Sequence, residues 1–100
     1  MKSINKVELQ GRVGSVRDGM GWVPFTLCTE EVFMDKSGDA IIETTWHVCR
    51  VAEKAYSVPL QKGDVVNVIG HIGNYKYLDY EQNERTSTEI VVLKYKKINQ

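Results

Sequence analysis

Apolar and polar residues alternate singly along most of this chain, and that alternation limits its fold more than anything else in it. Val7, Leu9, Gly11 and Val13 fall on one side of an extended chain, with Glu8, Gln10 and Arg12 on the other. A period of two is the signature of a half-exposed strand. Gly11 and Gly14, inside that run, predict a bulge or sharp bend of the kind a barrel strand needs. After a loop around Asp18–Gly21, a second strand runs from about Pro24 to Met34. Lys36-Ser37-Gly38-Asp39 then makes a hairpin turn, with Gly38 free to take positive φ, and a third strand spans Ala40 to Val51.

The pattern changes at Ala52-Glu53-Lys54-Ala55-Tyr56, whose good helix formers before Pro59 predict a helix of one or two turns. Lys62-Gly63-Asp64 turns into a fourth strand, Val65 to Gly73. The polar stretch Asn74 to Ser87 predicts an extended hairpin, and Thr88 to Lys97 a fifth strand. This is the element order of an all-β, five-stranded Greek-key OB barrel, with one short helix between strands 3 and 4 and a long hairpin between strands 4 and 5. An SH3-like barrel would not place a helix there. One OB-fold domain is expected to occupy residues 1–100.

No run approaches the roughly 20 apolar residues of a membrane helix, and Met1–Lys6 is polar where a secretory signal needs an apolar stretch. Cys28 and Cys49, without a CxxC, suit a reducing cytosol; the expected location is the cytoplasm, with the nucleoid. Thirteen basic residues balance thirteen acidic ones. A polyanion site must therefore come from local segregation of charge. The cluster Lys94, Lys96 and Lys97 and the acidic Glu30, Glu31 and Asp35 are each expected to be solvated surface.

Catalytic chemistry finds no foothold. His47, Cys49, Cys28 and His71 match no closed zinc spacing, and nothing exposes and activates a thiolate. The Gly11–Gly14 and Gly70–Gly73 runs lie in strands, not in a helix–helix loop. No enzyme activity, metal or cofactor is expected. The aromatics are more telling. Trp46, Val48 and Arg50 share a strand face, a platform where a base can stack while a cation meets a phosphate. Phe33 is expected across the hairpin on the same broad surface. Tyr75, Tyr77 and Tyr80 decorate the long hairpin together with Lys76 and Arg85; the competing explanation is a cross-strand ladder that only stabilises it. Trp22 stands evenly between capping one end of the barrel and joining the binding surface, and its truncation is expected to act mainly on the fold. Asn67, Ile69 and His71 lie opposite the core set Val66, Val68 and Ile72, so burial of Ile69 against a second subunit is expected.

These residues resemble a family. Ile4 to Gly14, with its Asn5-Lys6-Val7 and Gly11-Arg12-Val13-Gly14, is similar to the opening strand of bacterial single-stranded DNA-binding proteins. Phe25–Thr29 followed by Phe33–Asp39 resembles their second strand and hairpin, and Thr44-Thr45-Trp46-His47 their Trp-His segment. Leu60–Gly70, Tyr75-Lys76-Tyr77 and Thr88–Val92 continue the likeness in order to about Lys97. The resemblance implies sequence-independent binding of single-stranded DNA in replication, recombination or repair. It implies stacking on Phe33, Trp46 and Tyr77, and a homotetramer in preference to a dimer, with His47 in the subunit interface. Arg12 joins the DNA-contacting set and Lys6 the interface set. Three positions depart from the family pattern. Val48 stands where Arg is usual, leaving Arg50 to supply that contact; Ala52 stands where a stacking Phe is common; Tyr77 stands where Trp is frequent. The family's acidic tail has no counterpart before Gln100, so either a short tailless form, as from a phage or mobile element, or a longer chain cut before its tail is expected, and tail-mediated protein partners are not. Two alternatives remain: a dimeric protein like primosomal replication protein N, of replication restart, and a module whose aromatic face binds protein.

Overall fold

The computed structural model describes residues 1–98, so the last two residues of the expected domain lie outside it. Its elements follow the expected order: β1 (Val7–Val16), β2 (Trp22–Met34), β3 (Ala40–Ala52), a 3-10 turn (Glu53–Ala55), β4 (Val65–Leu78) and β5 (Glu84–Lys97). The strands close into a barrel in the order β1-β2-β3-β5-β4, with β1 pairing β4. All pairings are antiparallel except β3–β5, a short parallel contact of Cys49–Val51 with Ile90–Val92.

The inward residues are those that alternation selects. Val13, Val23, Phe25, Leu27, Cys49, Val51, Val66, Val68, Ile90 and Val92 form the core, and Leu60 joins them from the loop before β4. Burying a side chain such as Leu27 completely is worth about 1.5–3 kcal/mol. Burial also pushes the Cys49 thiol up to about 12, with the nearby Glu89 carboxylate adding to the rise, so it stays protonated and unreactive near neutrality.

Two bulges bend the strands toward closure. In β1, Gly14 and Ser15 together face Thr26 between the pairs Val13–Leu27 and Val16–Phe25. In β5, Leu93 is the extra residue between Lys94, opposite Ile69, and Val92, opposite Gly70. Gly70 sits where β4 and β5 cross most closely: a Cβ there would overlap the Val91 carbonyl oxygen.

The short helix and the long hairpin are found where expected, and one expectation, Ile72 in the core, needs correction. The predicted helix is a single 3-10 turn, because the segment is anchored from outside instead of packing as a helix face. Tyr56 accepts a hydrogen bond from the Leu60 amide at 2.7 Å, and the Tyr95 hydroxyl bonds both backbone groups of Val58. Ile72 is exposed, since β4 has by then run past the end of the barrel. The polar hairpin consists of the outer ends of β4 and β5, paired in register up to Leu78–Glu84. Its Asp79–Asn83 turn is held by Asp79, which accepts bonds from the Glu81 and Asn83 amides and from Arg85. The Arg85 bond leads in keeping the Asp79 carboxyl below its usual 3.8.

Candidate nucleic-acid interface

The register of β2 against β3 settles which side chains share a face. Counted outward from the Asp35–Asp39 turn, Cys28 opposes Trp46, Thr26 opposes Val48, Pro24 opposes Arg50 and Trp22 opposes Ala52. Their neighbours Val23, Phe25, Leu27, Cys49 and Val51 point into the core. Trp22, Trp46, Val48 and Arg50 therefore face outward together. Trp46 is 60% exposed and the Cζ3–Cη2 edge of its ring lies against Gly14, where an added Cβ would come within 2.5 Å of the ring and 2.7 Å of Thr26 Oγ1. The glycine of the bulge makes room for that edge, a role that sequence alone did not give it.

The same face continues across β5 onto β4. Val91 pairs with Arg50 on one side and His71 on the other, and next along come Gly73, Tyr75 and Tyr77. Tyr75 and Tyr77 stack with ring centroids 6.2 Å apart and planes 16° from parallel. Trp46 and the two tyrosines extend from Arg50 toward the same end of the barrel. The structure thus brings together Trp46, Arg50, Tyr75 and Tyr77, with Arg85 across from Tyr77. Arg12 pairs with Cys28, the rung of Trp46, and donates to the Gly63 carbonyl at 2.9 Å.

Other expected residues stand apart. Phe33 pairs with Ile41 on the reverse face of the β2–β3 hairpin from Trp46, because it is an odd number of residues away in an unbroken register. That hairpin carries Glu30, Glu31, Asp35, Asp39 and Glu43 against Lys36, a field that repels phosphate. Lys76 lies on the opposite face of its strand from the tyrosines, and Tyr80 is fully exposed at the turn.

Arg50 is not the partner of Trp46. Its guanidinium sits 4.5 Å from the ring centroid of Trp22, and its Nε is 3.2 Å from Glu89 Oε1. The distance is that of an ion pair, yet the buried Nε–H is not aimed well enough to count as hydrogen bonded. Trp22 itself is 37% exposed on the outer face.

Of the expected interface residues, Asn67, Ile69 and His71 share the outward side of β4. Asn67 donates to Glu8 and Gln10 at 3.0 and 3.3 Å. With Ile69, Lys94, Tyr95, Lys96 and Ile98 these residues line a groove of about 430 Å³, away from the aromatic face. Lys97 instead pairs with Asp64 at 3.1 Å. His47 is elsewhere, its Nε2 2.8 Å from the Thr29 hydroxyl, and Lys6 precedes β1. Among the described residues, no three His, Cys, Asp or Glu side chains gather as a metal site, and no helix is long and apolar enough to cross a membrane.

Comparison with known proteins agrees with this architecture. The chain is 34% identical over 98 residues to a single-stranded DNA-binding protein of Neisseria meningitidis, covering 89% of this chain and 56% of that one. A Rhizobium meliloti protein of the same description is 30% identical over 105 residues, covering 90% and 58%. The chain thus spans a little over half the length of these relatives. Among solved structures, the Plasmodium falciparum SSB in complex with ssDNA superposes with a TM-score of 0.77 at 28% identity, over 98% of this chain and 96% of that one. The small single-stranded DNA-binding protein of Streptomyces coelicolor shares the fold, with a TM-score of 0.66 at 21% identity and the same coverage. The model of the single-strand binding protein family matches residues 4–98, nearly the whole of the barrel and its long hairpin, and the chain belongs to that family.

Proposed function

We propose that the chain binds single-stranded DNA without reading its sequence, in replication, recombination or repair, and that it does so as a non-enzymatic cytoplasmic binder. The observation that carries this is the outward face on which Trp46, its ring edge against Gly14, and the stacked Tyr75–Tyr77 pair run toward one end of the barrel. Every base offers a π-face, so such a platform grips unpaired bases whatever their order. Arg12 and Arg85 border the face and meet phosphates, Lys76 reaches a phosphate from the reverse face of β4, and Arg50 lies within the face. Tyr80 is reached by a strand that passes the tip of the long hairpin, whereas Phe33, on the reverse face of the acidic β2–β3 hairpin, lies off this path.

Titration of tryptophan fluorescence with oligo-dT tests the reading. Quenching is expected, with duplex of equal length competing poorly, whereas equal affinity for duplex overturns it. Three phosphate contacts per subunit predict a log–log salt slope of about −2, from roughly 0.7 per phosphate on single strands. A slope near zero would instead indicate a protein-binding face.

Self-association belongs to the same proposal. A homotetramer covers the groove around Ile69 and Asn67 and adds burial to a small core, with His47 and Lys6 meeting a partner subunit away from that groove. Light scattering at micromolar concentration is expected to give about four times the 11.4 kDa chain mass. Twice that mass selects a dimer, and the single mass overturns assembly.

A further inference from the structure

Trp22 opens β2 on the outward face, 37% exposed, and the residue directly across from it is Ala52, whose methyl group can cover little of an indole. The backbone around it is tightly held. The Arg17 amide donates to the Pro24 carbonyl at 2.9 Å, the Glu53 amide donates to the Gly21 carbonyl at 3.1 Å, and Gly19 approaches the Trp22 carbonyl so closely that a Cβ would stand 2.5 Å from it. One ring face carries the Arg50 guanidinium, itself tethered by Glu89. A large aromatic that contributes to the core has no need of a rigid mount, a cation on its face and an outward, partly exposed position. These are the features of a preorganised stacking surface, which saves the ordering cost of binding.

We infer that Trp22, held by Arg50 and Glu89, is a second nucleobase-stacking subsite that takes an unpaired base of the strand bound at Trp46. This rests on the reading of the face as a single-strand binding surface and extends it. Trp22 lies six residues of strand from the rung of Trp46, about 20 Å at 3.3 Å per residue. It also lies on the opposite side of Arg50 from Tyr75 and Tyr77. The strand therefore runs from the tyrosine hairpin past Trp46 and on to the β1–β2 loop, away from the carboxylates of the β2–β3 hairpin. In this arrangement Arg50 is a positioning residue: its charge is already answered by Glu89, and it fixes the plane of the indole.

The chain has only two tryptophans, which makes the subsite directly observable. In Trp46→Phe, all indole emission comes from Trp22, and saturating oligo-dT is expected to quench it. Binding is followed separately by the anisotropy of a labelled oligonucleotide. Saturated binding with unchanged Trp22 emission overturns the subsite alone; no anisotropy change even with the wild type overturns the underlying reading too. Trp22→Ala is expected to weaken oligo-dT binding about tenfold, within the range of one stacked base, while Trp22→Phe recovers most of that loss. Arg50→Ala is expected to weaken binding with the salt slope unchanged. A slope shallower by about one contact would make Arg50 a phosphate ligand and overturn its positioning role. If Trp22→Ala binds like wild type and only melts lower, Trp22 serves the fold.

Discussion

Replacing Trp46 and Tyr77 together by alanine is expected to weaken oligo-dT binding on the order of a thousandfold. Each stacked base is worth about 1–3 kcal/mol by alanine substitution, or roughly ten- to a hundredfold singly. The two rings sit on different strands without touching, so their effects should nearly add. Both side chains are exposed, at 60% and 44%, and the core lies on the other side of the sheet. The melting temperature of the double variant should therefore fall by only a few degrees, that part coming from the uncovered Gly14. Oligonucleotide anisotropy and thermal denaturation measured on the same samples separate the two effects. A Trp46→Ala protein that binds like wild type yet melts several degrees lower would return the indole to a packing role.

The largest loss of stability is expected at Gly70, far from the aromatic face. Its Cα lies against the Val91 carbonyl at the bulge where β5 carries Leu93 as an extra residue. The obstructing atom belongs to backbone, so an alanine cannot be relieved by a rotamer change. β4 and β5 must move apart at the crossing that closes the barrel. Overpacking of this kind costs about 3 kcal/mol or more, a large share of the roughly 5–15 kcal/mol that holds a domain folded. At about 4–8 °C per kcal/mol for a chain this size, Gly70→Ala should lower Tm by at least 12 °C. An unchanged Tm in a calorimetric scan would mean that the crossing is looser than the structure has it.

The strands and their inward sides were legible because alternation is local. Val66 and Val68 lie inward and Asn67 and Ile69 outward wherever the strand goes, since the pleat fixes it. The hairpin at Gly38 was legible for a similar reason: φ is +85° there, a backbone conformation that glycine adopts without strain. The register of β2 against β3 is local in the same way. Counting outward from the Asp35–Asp39 turn puts Phe33 and Trp46 on opposite faces and Trp22 beside Arg50. Arg50 and Trp46 are near in sequence, but cross-strand neighbours sit closer than residues four apart along a strand.

By itself, then, the sequence determined the strand order, the inward and outward sets, the turns and the candidate aromatics, because each depends on a period of two or on a single residue's backbone freedom. Closure decided the rest. Only the barrel brings the Gly14 bulge under Trp46, lays Arg50 on Trp22 with Glu89 behind it, and ends the core before Ile72. These contacts join strands far apart in the chain, and their geometry depends on twist, bulge position and the parallel β3–β5 contact. No local pattern encodes those quantities, because they are set when five strands must satisfy one another's edges at once.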